Sequence, residues 1–103
     1  HNSSQAQAMT PVLASPVHAT ATLTQLSWGT QIELACTYSG EYPAGYSYSV
    51  VVVDRHGGSH EAGSWKLTPE RVTRVTADTA LSRDQIAKVE ITLGSTPILQ
   101  LTA

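Results

Sequence analysis

The chain has 103 residues, with six Lys plus Arg against eight Asp plus Glu, four His and one Cys. A formal charge of −2 and a pI near 6.0 argue against a phosphate-binding surface, and so against nucleic acid as a partner. Hydrophobic residues at 41% exclude a disordered tail, and the lone Cys excludes an intrachain disulfide or a multi-cysteine zinc site.

No apolar run approaches the ~20 residues that a membrane-spanning helix needs. Charged residues make up only 14% of the chain, against roughly 25% on average. Thr stands where Lys and Glu would otherwise face solvent. Because Thr is β-branched, it suits a pleated, half-exposed surface better than a helix. The composition predicts an all-β domain.

Residues 1–16 carry two prolines and no periodicity. They are expected to be a flexible linker, ahead of a folded domain over 17–103. His18 to Leu26 alternates small apolar residues with Thr, the period of a half-buried strand. Trp28-Gly29-Thr30 turns the chain. Gln31 to Tyr38 alternates again and places Ile32, Leu34, Cys36 and Tyr38 on one face. Ser39 to Gly45 is a loop containing Gly and Pro. Tyr46 to Asp54 begins by alternating and ends in consecutive valines, as a central strand does.

Arg55-His56-Gly57-Gly58 is a hairpin signal, since glycine supplies the positive φ that tight hairpins need. Ser59 to Leu67 returns as the next strand. Thr68-Pro69-Glu70 is a corner, and Arg71 to Ala77 is a short strand. Ser82 and Gln85 have capping-box spacing, but only Ile86-Ala87 follows before strand character resumes. One short helical turn is therefore expected near Ser82–Ala87. Lys88 to Leu93 points Val89, Ile91 and Leu93 inward, Gly94 to Pro97 turns, and Ile98 to Thr102 closes the chain. About seven strands at hairpin spacing predict an antiparallel β-sandwich, immunoglobulin-like in size.

The candidate chemistry is sparse. Cys36 shares the parity of Ile32 and Leu34, which predicts a buried small hydrophobe rather than a nucleophile. Asp54, His56, His60 and Glu61 flank one hairpin and form the only metal-like cluster. Two imidazoles and a carboxylate bind a divalent ion if they converge. Their spacing matches no recognised ligand motif, and a turn has its own reason to be polar, so no metal or other cofactor is assigned to this domain. No nucleophile elbow or phosphate-cradling loop is present, and a non-enzymatic role is expected. Tyr46 and Tyr48 are expected to cover the core. Trp28 and Trp65 are expected in the core or at its rim, because no Phe is available to fill the interior. Tyr42, at a loop tip before a proline, is an interaction candidate, together with His56 and His60.

Trp28-Gly29-Thr30, continuing through Ile32, Leu34, Cys36 and Tyr38, resembles a strand that recurs in the extracytoplasmic domains of actinobacterial membrane-anchored anti-sigma factors. Further similarities follow in order. They are a valine strand ending in Asp54-Arg55, the Gly63-Ser64-Trp65 segment, the Leu67 to Arg71 corner, and the stretch from Asp84 to Ile91. The resemblance spans residues 17–102. It implies a single-pass cell-membrane protein with this domain on the extracytoplasmic side, attached through an upstream helix. Zinc and the sigma factor would be held by a separate cytoplasmic domain, so no residue here inherits those roles. The role implied for this domain is to receive or relay a signal and to control access of a site-1-type protease, whose action frees the sigma factor. The rival reading is a secreted adhesion or carbohydrate-binding β-sandwich module using Tyr42 and its neighbours.

Overall fold

A computed structural model describes residues 5–38, 46–66 and 72–102. Its strands are β1 (Gln7–Ala8), β2 (Thr10–Pro11), β3 (Val17–Leu26), β4 (Gly29–Tyr38), β5 (Ser47–Asp54), β6 (Ser59–Lys66), β7 (Val72–Thr79), β8 (Ile86–Leu93) and β9 (Thr96–Thr102). They form two antiparallel sheets, ordered β1-β3-β4-β7 and β2-β9-β8-β5-β6. The seven long strands make the expected β-sandwich. A single 3-10 turn, Arg83–Gln85, leads into β8.

Sequence alternation becomes burial directly. In the first sheet Leu23, Ile32 and Ala77 form one inward row, and Ala21, Leu34 and Val75 the next. In the second sheet Val50 lies beside Ile91, and Val52 beside Val89. All four are fully buried. Each such side chain stabilises the fold by about 1.5–3 kcal/mol through removal from water. Cys36 is fully buried among them, and burial pushes its thiol up to about 11.

Three features depart from the expectations. Residues 7–13, read as part of a linker, are attached to both sheets. Gln7 and Ala8 pair with Ala21 and Thr20, while Thr10 and Pro11 pair with Gln100 and Leu99. Between the two pairings Met9 is buried in the core, and its amide donates to the Ala19 carbonyl at 2.9 Å. The segment is a strap whose pairings are too short to leave a period in the sequence.

Trp28 is 52% exposed rather than in the core or at its rim. Its place at the β3–β4 turn carries the indole past the last packed row. Tyr46 is 44% exposed while Tyr48 is buried. Tyr46 precedes β5 and is not covered by the opposing sheet.

Two glycines close the sandwich. Gly29 has φ +153°, and a Cβ there would fall on the Thr79 carbonyl and the Ala80 backbone. At the β6 edge of the second sheet, the β5–β6 pairing skips one residue between Val50 and Val51, which leaves Ala62 as a bulge. A Cβ on the adjacent Gly63 would meet that of Ala77 at 3.2 Å. The missing side chain lets β6 lean onto β7 where the two sheets meet.

Candidate functional site

One end of the sandwich gathers the β3–β4 turn, the β5–β6 hairpin and the 3-10 turn. Asp54 organises the hairpin. Its Oδ1 accepts from the backbone N–H groups of His56 at 2.8 Å and Gly58 at 2.9 Å. Its Oδ2 lies 2.8 Å from His60 Nε2. The chain folds this way because Gly57, at φ +86°, turns the two amides back toward the carboxylate. The His60 hydrogen bond, helped by the Gly58 and His56 amides, holds the Asp54 carboxyl down at about 2. An ionised carboxylate with three donors is the stable state here.

Neighbouring side chains tie these turns together. Arg55 donates from Nε to the Asp84 carbonyl at 3.0 Å, and its own amide donates to the Gln85 carbonyl at 3.1 Å. Gln25 donates to the carbonyls of Leu26 and Gly29 and accepts from the Arg83 amide. Buried Thr30 donates to the Leu81 carbonyl at 2.9 Å. The expected capping box forms: the Ser82 side chain accepts from the Gln85 amide, and Gln85 Oε1 accepts from the Ser82 amide at 2.8 Å. The Ser82 hydroxyl also donates to the Asp84 carboxylate.

Of the residues singled out in the sequence, His60 meets Asp54. His56 contributes its backbone amide to the turn. Tyr42 lies outside the described residues. The described residues contain no group of three or more His, Cys, Asp and Glu that could hold a metal ion. What the Asp54–His60 pair can do chemically is hold the hairpin in one shape.

At the other end Tyr38, Tyr48 and Trp65 form an aromatic cluster that joins the sheets. Tyr48 lies 6.0 Å from Tyr38 and 5.9 Å from Trp65 between ring centroids. Trp65 Nε1 donates to the Tyr38 hydroxyl oxygen at 3.3 Å. Burial raises the Tyr38 phenol above its ordinary range, and the bond from Trp65 partly offsets this.

Sequence reasoning missed a third feature, on the solvent face of the four-stranded sheet. There Thr20, Ala35 and Arg74 form one cross-strand row, and Thr22, Glu33 and Thr76 the next. Together with Ala6 they line a depression of about 240 Å³. The alternation marks these residues as outward but cannot show which of them meet.

Compared with known proteins, the chain matches no family model, no curated sequence and no solved structure.

Proposed function

We propose that this chain is the extracytoplasmic regulatory domain of a membrane-anchored anti-sigma factor, without catalytic activity of its own. The reading is supported by where its motif residues fall. Gly29 supplies the close approach of β4 to Thr79, and Leu34 and Cys36 are core residues. Trp65 stacks on Tyr48, and Gly63 lets β6 meet β7. A motif set spread along the chain that coincides with its packing constraints is what a shared fold requires.

On this reading the sigma factor is held by a separate cytoplasmic domain, and the sandwich governs whether a protease reaches the chain. A protease needs a segment it can bind in extended form. Residues 7–11 are already paired with β3 and β9, so cutting there requires the strap to come off first.

The test is the coding sequence upstream of residue 1, followed by limited proteolysis of the full-length protein in its membrane. A transmembrane span preceded by a His-x₃-Cys-x₂-Cys motif is expected, with cleavage in or next to the strap. A signal peptide or a catalytic domain in that place would overturn the proposal and favour the adhesion or carbohydrate-binding reading. Cleavage confined to the body of the sandwich would overturn the gating role.

A further inference from the structure

The depression on the solvent face of the four-stranded sheet holds two opposite charges that do not meet. Glu33 on β4 lies between Thr22 and Thr76, and Arg74 on β7 lies beside Ala35 in the neighbouring row. Both line the same hollow. Among the described residues the ion pairs are His60–Asp54 and Lys88–Glu90, so Glu33 and Arg74 are each left with free hydrogen-bonding capacity. Opposite charges on adjacent strands usually gain by pairing across them.

Ala35, opposite Arg74 and two residues along β4 from Glu33, carries only a methyl and leaves room for the hollow. Its walls are hydroxylic, with Thr20 and Thr22 on one side and Thr76 on the other. The floor is the sheet itself, which fixes these groups on a rigid lattice about 4.8 Å apart across the strands. Rigid, pre-spaced polar groups bind with little ordering cost.

We propose that this hollow is a binding site for a sugar acid, a single hydroxylated ring bearing one carboxylate. The size fits. At about 240 Å³ the depression is smaller than the ~300 Å³ at which drug-sized pockets begin. The charges fit as well. The Arg74 guanidinium presents a planar fork to a carboxylate. The Glu33 carboxylate accepts from ring hydroxyls, and the Thr hydroxyls donate or accept as the ring demands. The Thr methyls and Ala35 offer an apolar bed to the ring carbons. Ala6, just ahead of β1, also lines the hollow, so a bound ring touches the residue that leads into the strap together with the body of the sandwich. The proposal uses neither Tyr42 nor the anti-sigma reading, and stands or falls apart from both.

The experiment is a titration of the full chain with D-glucuronate, glucose and acetate, followed through backbone amide shifts in two-dimensional NMR. Glucuronate is expected to move the amides of Thr20, Glu33, Ala35, Arg74 and Thr76 with millimolar affinity, with glucose and acetate each at least about tenfold weaker. Arg74→Gln is expected to remove the preference for glucuronate over glucose. Ala35→Leu fills the hollow and is expected to abolish the shifts. Should that variant lose its native spectrum, Thr76→Val, which removes one hydroxyl at constant shape, is expected to weaken binding several-fold. Equal binding of acetate would reduce the site to a bare anion site, and equal binding of glucose would remove the role of Arg74. Either result overturns the proposal, as does the absence of shifts at tens of millimolar probe.

Discussion

His60 Nε2 lies 2.8 Å from Asp54 Oδ2, while the other oxygen of the same carboxylate holds the turn between them. One carboxylate thus fixes both the tip of the hairpin and the first part of its returning strand. Because folding holds this carboxyl down at about 2, its contribution to stability is complete above the unfolded value near 3.8. It is lost as pH falls from there toward 2. An NMR titration of the Asp54 carboxyl is expected to give a midpoint close to 2. His60→Ala, which removes the largest cause, is expected to return it most of the way to the ordinary range. An unchanged midpoint in that variant would show that the backbone amides alone do the work.

Gly29→Ala is the substitution expected to damage the fold most for its size. It places a methyl on the backbone of Thr79 and Ala80 at a positive φ, where strain and collision add. The expected loss is more than about 3 kcal/mol, read as the midpoint of urea unfolding. Gly57→Ala is a control. Its φ is also positive, but a Cβ there meets nothing, so the cost is limited to about 1 kcal/mol of backbone strain. Similar losses for the two would contradict the close approach of β4 to β7.

Cys36 makes a prediction at the alkaline end. Its thiol titrates at about 11 in the fold against an ordinary 9.0. The folded state therefore favours the protonated form, and this preference costs nothing below pH 9. Stability then declines as pH rises through the interval up to about 11. Cys36→Ala is expected to remove that part of the decline. At neutral pH a thiol reagent is expected to label Cys36 only at the rate at which the domain opens, and faster labelling of the native protein would place the thiol nearer the surface.

The strap is expected to be the least stable part of the structure. It buries one side chain, Met9, and few backbone hydrogen bonds hold it. Under native conditions the amides of Met9 and Val12 are expected to exchange by local opening, well ahead of those in β4 and β8. Met9→Ala is expected to speed that exchange about tenfold or more. The global loss should stay below the ~2–5 kcal/mol of a Met→Ala change deep in a core. Strap amides that exchange only with global unfolding would make residues 7–13 an integral part of the sandwich and would weaken the gating proposal.

The long strands could be read from the sequence because each buries one face. Ile32, Leu34 and Cys36 on β4, or Val89 and Ile91 on β8, announce their parity directly. The hairpin at Gly57 was legible for a different reason, since its φ is one that other residues rarely adopt. The strap left no such trace. Its two-residue pairings are shorter than any period, and Met9 looks like any isolated apolar residue. Trp28 misled because its hydrophobicity argued for burial while its place at the tip of a turn decided for exposure. The hollow beside Ala35 depends on register across three strands. The residues that line it are far apart in the chain, and no local pattern links Glu33 to Arg74.

The pairing of Thr10 with Gln100 joins the two ends of the domain, and this orders events on the ribosome. The β3–β4 hairpin has all of its own residues early and can begin to form while the rest is still being made. Residues 10 and 11 must wait for β9, the last of the nine described strands to emerge. A stalled or truncated product lacking β9 would therefore leave β2 unpaired as well.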